Sequence, residues 1–262
     1  MKDTKPIYTK NNIQLFQGNC LEIMDELYEE KGKCINLIFA DPPYFLSNGG
    51  ITCKSGKMVK VDKGSWDKSE GTQLNHEFNL AWLERCQKLL TDNGTIFVSG
   101  THHVIYSIGF AMQQLEFKLL NTITWEKPNP PPNLSRKYFT HSTEMIIWAS
   151  KNANSKHLFN YEEMRKINGG KQMKDVWNLT SPSKNEKAFG KHPTQKPIKL
   201  LNRLILAATQ KEDLILDPFN GSGTTGVSTV NLERSYIGIE QNKEFCELSI
   251  QRFENIHTTI TT

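Results

Sequence analysis

The amino-acid sequence predicts an α/β fold built on a mostly parallel, doubly wound sheet. Short apolar runs typical of strands alternate along the chain with segments whose apolar residues recur at helical spacing. One of these runs is followed by a glycine-rich turn, and the next run ends in an acidic residue, a pattern found in sheets of this class. With 262 residues, of which 37% are hydrophobic, the chain can bury the core of one such domain.

The strands of this sheet are predicted from seven runs that are rich in Ile, Leu, Val and Phe. Each run is short enough for a single strand and is bounded by polar or glycine-containing segments. The predicted strands are residues 13–19, 35–41, 94–100, 121–127, 143–150, 213–219 and 235–240.

Two helices are predicted from apolar residues at helical spacing. The first pattern stops at Asp92-Asn93-Gly94, which we expect to break the chain before the next strand. The second pattern follows Pro197, a residue favoured in the first turn of a helix. The apolar positions are Phe78, Trp82, Cys86, Leu89 and Leu90 in the first helix, and Leu200, Leu201, Leu204, Ile205 and Ala208 in the second.

The charge of the chain is unevenly distributed. The net charge is only +4, but residues 120–200 hold 14 Lys/Arg against 6 Asp/Glu. A basic segment of this kind suits a polyanion such as nucleic acid, although a solvated lysine face explains the charge equally well. Two polar, weakly periodic stretches, residues 46–75 and 151–191, are expected to be functional loops or small insertions.

The cysteines and histidines indicate neither disulfides nor a metal site. Five cysteines form an odd set without a CxxC pair, so we expect reduced thiols that mostly pack. His102 and His103 lack a third ligand at metal spacing, and we expect them to begin a helix near the functional site. The absence of a secretory signal pattern and of an apolar run of roughly 20 residues predicts a cytoplasmic protein without membrane contact.

The stretch LILDPFNGSGTTG predicts a site for a cofactor that contains a nucleoside. A strand ends at Asp217, and Gly221, Gly223 and Gly226 follow in the spacing GxGxxG. Glycine permits a tight turn and a close approach of the backbone to a ligand, and the acid that ends the next strand, Glu240, can accept hydrogen bonds from ribose hydroxyls. NAD and S-adenosylmethionine both fit this motif.

The stretch FADPPYFLSNGG places polar chemistry at the end of another buried strand. The exocyclic amine of a nucleic-acid base is a poor nucleophile because its lone pair is delocalised, so acceptors for its two N–H bonds assist attack on a methyl group. The carboxylate of Asp41 and the carbonyl beside Pro42 supply two acceptors, and Tyr44 offers an exposed flat face for the base. The structural alternative is a strand end capped by a Pro-Pro turn, with Tyr44 half-buried.

Together these motifs resemble those of the amino-group DNA methyltransferases. DPPY at 41–44 resembles the catalytic motif of that family, and DPFNGSG at 217–223 resembles its S-adenosylmethionine loop. The catalytic motif precedes the cofactor motif, with the basic segment between them, and this order resembles the beta class. GKHPTQKP at 190–197 resembles the segment that lies near the methionine end of the cofactor in that class.

Longer stretches extend the resemblance over most of the chain, to the second adenine methyltransferases of GATC-recognising restriction systems. These stretches are ADPPYFLSNGGIT, VDKGSWDK, PNLSRKYFTHSTE, GKQMKDVW and KHPTQKP. The resemblance implies a Rossmann-like, circularly permuted methyltransferase fold that flips an adenine out of duplex DNA, and acts also on single strands, to methylate N6 with S-adenosylmethionine. It is compatible with a homodimer. Methylation of cytosine N4 stays open, as do, in other classes, an NAD-dependent oxidoreductase and a non-catalytic DNA-binding module.

The resemblance also implies the residues of the site. Asn19 stands where the family usually has an acid that holds the adenine amine of the cofactor, and its amide oxygen is a weaker acceptor. The expected catalytic residues are Asp41, Pro42, Pro43 and Tyr44, and the expected cofactor-binding residues are Asn19, Cys20, Asp41, Thr194, Lys196, Asp217, Phe219, Asn220, Gly221, Ser222, Gly223, Thr224 and Glu240.

One α/β domain is expected, with residues 1–150 as its catalytic half, 151–191 as an insertion that recognises the DNA target, and 192–262 as its cofactor-binding half. Most protein–DNA hydrogen bonds go to phosphate and sugar, but Arg136 can bind guanine bidentately and is the expected base reader. Trp66 is the expected stacking residue. The expected DNA-binding residues are Lys127, Asn133, Arg136, Lys137, Lys171, Lys174, Lys184 and Lys187.

Overall fold

The protein folds around a nine-stranded sheet, as seen in a computed structural model. The structure describes residues 5–10, 12–46, 67 and 69–256, and the backbone of 51–54 and 57–60. The strands are β1 (Tyr8–Lys10), β2 (Ile13–Gln17), β3 (Ile35–Ala40), β4 (Ile51–Lys54), β5 (Lys57–Lys60), β6 (Leu90–Gly100), β7 (Lys118–Glu126), β8 (Thr143–Ser150), β9 (Val176–Asn178), β10 (Leu214–Asp217) and β11 (Ser235–Glu240). The helices are α1 (Cys20–Lys31), α2 (Thr72–Leu89), α3 (Ile105–Gln114), α4 (Tyr161–Ile167), α5 (Ile198–Ala208), α6 (Thr224–Asn231) and α7 (Lys243–Glu254), and a 3₁₀ helix covers Asn185–Lys187.

The order of the strands in the sheet brings the two sequence motifs together. The order is β1-β2-β11-β10-β3-β6-β8-β7-β9, and β4 and β5 form a separate hairpin. Strands β2, β11, β10, β3 and β6 are mutually parallel neighbours. Strand β10, from the end of the chain, lies directly beside β3, from its beginning, so Asp41 and Asp217 meet at one carboxyl edge of the sheet.

Two apolar clusters, one on each face, hold helices against this sheet. On β3, Ile38 and Ala40 belong to the cluster that includes residues of α1, α2 and α3, whereas Leu37 and Phe39 belong to the cluster that includes residues of α5, α6 and α7. Successive residues of a strand point to opposite faces, so both faces of β3 are buried. The predicted doubly wound, mostly parallel α/β fold is confirmed.

The other end of the sheet is partly antiparallel. Strand β8 pairs antiparallel with β6 and with β7, and β9 adds a short parallel edge strand beside β7. Residues 151–191, predicted to be an insertion, supply α4, β9 and the 3₁₀ helix, and Trp177 on β9 packs into the second apolar cluster. This segment therefore shares the sheet and the core of the α/β domain.

The structure confirms the seven predicted strands, although the ends of several strands shift by a few residues. Strand β6 begins at Leu90, which pairs with Ile35, and regular pairing continues only from Thr95, which pairs with Leu37. Leu90, expected in the helix, therefore belongs to the strand, and Asp92-Asn93-Gly94 interrupts the pairing within β6 and not before it. A Cβ at Gly94 would lie 2.9 Å from the carbonyl oxygen of Ile35, which explains why only glycine fits there. Pro197 is the residue before α5 and lies outside its first turn.

Among the helices in the described part of the chain, none is long and apolar enough to cross a bilayer.

Candidate active site

A cavity of about 320 Å³ opens at the carboxyl edge of the parallel strands. Its walls include residues at or just after the ends of β2, β3, β10 and β11, which the parallel arrangement brings to one edge. Asp41, Asp217 and Glu240, the acids at three of these strand ends, all line it. Ligands of doubly wound folds bind at this edge, so the cavity is the candidate active site.

Every predicted cofactor residue except Gly223 lines the cavity. Gly223 precedes α6 with a φ of 73°, and a Cβ there would lie 2.8 Å from Cζ of Phe253 on α7. Glycine is therefore needed at this position for packing and not for approach to a ligand. The side chain of Asn220 also turns inward, where it accepts from the hydroxyl of Tyr236 at 3.0 Å and donates to the hydroxyl of Ser249 at 2.8 Å.

Glu240 holds the backbone of the glycine loop beside the cavity. One carboxylate oxygen accepts from the N–H of Gly221 at 2.7 Å, and the other accepts from the N–H of Asn242 at 2.8 Å. Gly221 has a φ of 54°, and a Cβ there would lie 3.3 Å from the ring of His192. Each carboxylate oxygen keeps a lone pair that can accept one more hydrogen bond, as the hydroxyl of a ribose would donate.

Asp217 is buried at the base of the cavity. Its carboxylate accepts from the N–H of Phe219 at 2.9 Å and from the hydroxyl of Thr225 at 2.6 Å. Burial raises the pKa of Asp217 to about 7, and these two hydrogen bonds offset only part of that increase. The nearby charges of Asp41 and Glu240 raise this pKa further. A cationic ligand in the cavity would favour the ionised form.

Asn19 and Cys20 begin α1 at the rim of the cavity. Asn19 is the N-cap of the helix, and its side-chain oxygen accepts from the N–H of Leu21 at 2.8 Å. Asparagine and aspartate are equally good N-caps, so Asn19 fulfils the capping role that the acidic residue expected from the family would have. Burial raises the pKa of the Cys20 thiol to about 12, so Cys20 forms part of the wall and not a thiolate nucleophile.

The carboxylate of Asp41 is engaged at both oxygens. The hydroxyl of Tyr44 donates to Oδ1 at 2.6 Å, and Nζ of Lys196 forms an ion pair with Oδ2. Tyr44 is 5% exposed, so the expectation of an exposed stacking face is wrong in this structure: its hydroxyl holds Asp41, and the ammonium of Lys196 lies 5.5 Å from its ring centre. Pro43 lines the cavity, whereas Pro42 is buried behind it.

A buried ionic cluster extends from Asp41 to strand β8. Glu144 lies 3.5 Å from Nζ of Lys196 and 3.4 Å from the hydroxyl of Tyr44, and its other oxygen forms an ion pair with Lys127. The two carboxylates and two ammonium groups balance in charge, as groups at this depth require. The sequence did not point to Glu144, and Lys127, expected on the DNA surface, belongs to this cluster.

The pKa values in the cluster follow from burial and from these contacts. Burial raises the pKa of Asp41, and the attraction of Lys196 offsets only part of that increase. Burial lowers the pKa of Lys196, but its attraction to Asp41 and Glu144 exceeds that effect, so the net pKa is raised and the group stays protonated at neutral pH. Burial raises the pKa of Glu144, but Lys196 and Lys127 outweigh it, and the net pKa is lowered.

Asp67 fixes the backbone of the loop that follows Asp41. Its fully buried carboxylate accepts from the N–H of Tyr44 at 2.8 Å and from the N–H of Leu46 at 3.1 Å. Between them, Phe45 has a φ of 56°, a conformation that costs a residue with a side chain about 1–3 kcal/mol. The hydrogen bonds to Asp67 help to hold this conformation, which places Phe45 on the cavity wall against Phe78.

The expected DNA-binding residues other than Lys127 lie in loops, except Lys187, which ends the 3₁₀ helix. Asn133 uses its side chain within its own loop, where Oδ1 accepts from the N–H of Ser135 at 3.0 Å. Two aromatic side chains of the same loop project from the surface, Tyr138 and Phe139, and Phe139 is 96% exposed. Trp66 lies outside the described residues. Arg136, Lys137, Lys171, Lys174 and Lys184 are exposed, and Lys187 is half-buried.

Several cavity residues were not predicted from the sequence. His192 and Gln195 lie within the GKHPTQKP stretch, so that motif contained a signal for them. Phe39, Phe78 and Phe245 come from three separate elements, and no local pattern distinguishes them from core residues. His102 and His103 lie in the turn before α3, and the ring of His102 stacks on that of His141 at 4.5 Å.

Comparison with known proteins identifies the family. The profile of the DNA methylase family matches residues 35–251. The type II methyltransferase M2.MboI of Moraxella bovis is 52% identical over 254 residues, which cover 96% of this chain and 92% of that protein. The type II methyltransferase M2.DpnII of Streptococcus pneumoniae is 51% identical over 252 residues, which cover 96% and 93%.

Solved structures agree with this assignment. The complex of M1.HpyAVI with S-adenosylmethionine has a TM-score of 0.71 and 29% identity, covering 92% of this chain and 98% of that one. The PvuII DNA methyltransferase, which is cytosine-N4-specific, has a TM-score of 0.74 over 98% of this chain and 94% of that one. At 20% identity, the PvuII enzyme supports the fold alone.

The cavity fits the cofactor of this family on the residues present. Asp217 and Glu240 supply the negative charge that suits a sulfonium and an ammonium group, and Phe219 supplies an apolar wall. The side-chain oxygen of Gln195 is buried without a hydrogen-bond partner in the described part of the chain, and a donor on a ligand would satisfy it. Gly221 leaves the backbone accessible. From its motifs, its sheet and its relatives, this chain belongs to the DNA methylase family and is an enzyme that uses S-adenosylmethionine.

Proposed function

We propose that this enzyme transfers a methyl group to N6 of adenine in the GATC sites of DNA, duplex and single-stranded, as part of a restriction–modification system. The support is its identity of 52% and 51% with two proteins named type II methyltransferases, together with the DPPY motif at residues 41–44. The family assignment leaves no place for the NAD-dependent oxidoreductase or the non-catalytic binding module.

The observation that carries this proposal is the position of Asp41. Its carboxylate lies on the wall of the cofactor cavity, beside Pro43 and within the loop that Asp67 holds in place. Although Tyr44 and Lys196 each occupy one oxygen, a carboxylate has about four acceptor positions, so Asp41 can still accept an N–H from a substrate amine. This acceptor is placed where an incoming amine and the cofactor would meet.

The residues around Asp41 support the reaction by handling protons and charge. When bound, S-adenosylmethionine supplies an electrophilic methyl group. The carboxylate of Asp41 holds the amine through its N–H and takes the proton that the nitrogen releases after the new bond has formed. The hydroxyl of Tyr44 lies between Asp41 at 2.6 Å and Glu144 at 3.4 Å, which gives this proton a path away from the site.

Methylation of cytosine N4 is the second candidate function. The fold of the cytosine-N4-specific PvuII enzyme matches that of this chain, and the same acceptor chemistry serves either amine. Purified enzyme incubated with S-adenosylmethionine and GATC oligonucleotides, single- and double-stranded, should yield N6-methyldeoxyadenosine in a nucleoside digest analysed by mass spectrometry. An oligonucleotide with the adenine already methylated is the control. N4-methyldeoxycytidine as the product would replace the adenine assignment.

The pKa of Asp217 predicts a pH dependence of cofactor binding. Below pH 7 the carboxyl is largely protonated and neutral, and above pH 7 it becomes an anion that attracts the cationic cofactor. We therefore expect the affinity for S-adenosylmethionine to increase by about tenfold per pH unit at most below the pKa, and to level off above it. Titration calorimetry between pH 6 and 8.5 measures this. Asp217→Asn is the control and should flatten the profile; an unchanged profile would assign the titration to another group.

We also propose that residues 128–142 and 151–191 form the DNA-recognition surface. The exposed basic residues of these segments suit phosphates, and Arg136 suits a base edge. Next to Arg136, the exposed rings of Tyr138 and Phe139 suit stacking on unpaired bases. This combination of charge and exposed aromatic rings matches a surface that holds DNA around an extruded nucleotide.

Salt titrations test the phosphate contacts. Changing Lys171, Lys174, Lys184 and Lys187 together to glutamine should reduce the slope of log K against log salt by roughly one for each lysine that contacts a phosphate, and somewhat less on single strands. The control changes Lys211 and Lys243, two lysines in surface ion pairs outside these segments, to glutamine. Equal slopes for the wild type and the quadruple variant would show that these lysines contact no phosphate and form only a solvated surface.

Two single variants test base recognition. Arg136→Ala should cost about 1–3 kcal/mol of binding free energy on the preferred site and relax discrimination there, because a bidentate contact to guanine is lost. Phe139→Ala should cost about 1–3 kcal/mol on single strands while the salt slope stays unchanged, because stacking involves no counterion release. Fluorescence anisotropy on matched and mismatched oligonucleotides measures both. A uniform loss on every sequence would reassign Arg136 to a phosphate contact.

A homodimer is the remaining expectation from the resemblance. Tyr106 and Phe110 are exposed one turn apart on α3, and the ring of Phe110 stacks on that of His76. We propose this apolar surface as the dimer contact. Sedimentation equilibrium of the wild type and of Tyr106→Glu tests it, and a wild type that stays monomeric at micromolar concentration would contradict it.

A further inference from the structure

Arg252 is a buried arginine on α7 that contacts the cofactor loop from behind. It is 2% exposed, and the two hydrogens of its Nη1 are shared among three acceptors, the carbonyl oxygen of Ser222 at 2.5 Å, the hydroxyl of Ser222 at 3.1 Å and the hydroxyl of Thr224 at 2.9 Å. Within the described parts of the chain, the Nε and Nη2 of Arg252 have no hydrogen-bond partner. Burial lowers the pKa of Arg252 and the charge of Glu186 raises it in part, but without a hydrogen bond to Glu186, so no direct ion pair holds the guanidinium.

The contacts of Arg252 determine which way the two hydroxyl groups can donate. A guanidinium is a donor only, so the oxygens of Ser222 and Thr224 must act as acceptors toward it. Each hydroxyl then keeps its own proton for another partner. The two oxygens are 3.3 Å apart, so at most one of these protons can be used between them. At least one proton remains for a group in the cavity, which both residues line.

The surroundings of the hydroxyl groups of Ser222 and Thr224 favour the binding of an anion. Two hydroxyl groups, the buried charge of Arg252 behind them and the amino end of α6, which begins at Thr224, all favour negative charge at this point. The cofactor has one anionic group, the carboxylate of its methionine part. The acidic side chains of Asp217 and Glu240 elsewhere in the cavity would repel this carboxylate, so the hydroxyl pair is the better place for it.

We propose that Arg252 is a positioning residue that directs the hydroxyl groups of Ser222 and Thr224 toward the methionine carboxylate of S-adenosylmethionine. Burial lowers the pKa of Arg252 to about 10, which still leaves it protonated at neutral pH. Because Arg252 is separated from the cavity by these two residues, it acts through them and not by direct contact.

The test compares two ligands that differ only in the carboxylate. Titration calorimetry gives the dissociation constants of S-adenosylhomocysteine and of its decarboxylated analogue, and their ratio reports the contribution of the carboxylate. We expect the wild type to prefer the carboxylate-bearing ligand by about tenfold or more, since hydrogen bonds that involve a charged group are the stronger class. Arg252→Met should reduce this preference by about tenfold, and Arg252→Lys should reduce it less.

The ratio separates positioning from simple support of the loop. If Arg252 only supports the loop, Arg252→Met weakens both ligands equally and the wild-type ratio persists, which would overturn the proposal. Arg234→Met is the matched control, because Arg234 is also a buried arginine but donates to Thr209 and Leu232 outside the cavity. We expect this variant to keep the wild-type ratio.

A second set of variants keeps the test decisive if Arg252→Met does not fold. Ser222→Ala combined with Thr224→Val removes the two hydroxyl groups and leaves the charge of Arg252 in place. We expect this double variant to lose the preference for the carboxylate, and Arg252→Lys added to it should change the ratio no further, because the three groups act as one unit. A double variant with the wild-type ratio would overturn the proposal.

Discussion

Replacement of Asp41 by alanine is expected to reduce the rate of methyl transfer by about 10² to 10³ while the affinity for S-adenosylmethionine stays within about tenfold. The variant removes the carboxylate for which we propose the role of holding the substrate amine, whereas the glycine loop and Glu240 remain in place. Lys196 keeps Glu144 as a partner, so its charge is still paired. Single-turnover transfer of a tritiated methyl group measures the rate, and calorimetry measures the affinity.

Two further variants make this prediction interpretable. Asp41→Asn preserves the shape and one acceptor oxygen but lacks the charge, so it should fold well and still transfer slowly. Asp25→Ala removes an acid of the surface, where it pairs with Arg85, and should leave the rate unchanged. Near-normal turnover by Asp41→Ala would remove Asp41 from the mechanism.

Replacement of Gly223 by valine is expected to abolish cofactor binding and to destabilise the fold. The φ of 73° costs an L-residue about 1–2 kcal/mol, and more for a branched side chain. A Cβ would also lie 2.8 Å from Cζ of Phe253 and 3.0 Å from Cβ of Ser249, and overpacking of this kind adds about 1–3 kcal/mol. Both costs act on the loop that carries Ser222 and Thr224. Equilibrium dialysis and thermal unfolding measure the two effects.

The chain offers a matched control for this variant. Gly169, after α4, has a similar φ of 66°, but a Cβ there would have no atom within 4 Å. Gly169→Val should therefore show the conformational cost alone and keep the affinity for the cofactor. If Gly223→Val is no less stable than Gly169→Val and binds the cofactor normally, α7 does not constrain the loop. Gly221→Val should also lose binding, because its Cβ would approach His192 beside the cavity.

Local patterns in the sequence were sufficient to determine the fold class, the order of the motifs and the strand ends that form the site. The alternation of apolar runs and helical spacings requires only neighbours along the chain, and it correctly predicted β3, β10 and β11 with Asp41, Asp217 and Glu240 at their ends. The glycine spacing and the DPPY motif can likewise be recognised from neighbouring residues in the chain alone. They indicated the cofactor cavity and Asp41 on its wall, the residue for which we propose the role of amine acceptor.

Only the tertiary structure decided what surrounds those residues. Tyr44 is buried against Asp41, and Lys127 turns from the expected DNA surface toward Glu144, because buried charges must be paired and their partners come from distant parts of the chain. Asp67 lies in the VDKGSWDK stretch that contributes to the resemblance, but neither its role nor that of Arg252 could be inferred from local pattern, because both depend on backbone groups and hydroxyls that folding brings to them. Sequence patterns report periodicity and local turns, whereas the pairing of buried polar groups depends on distances that exist only after the sheet has formed.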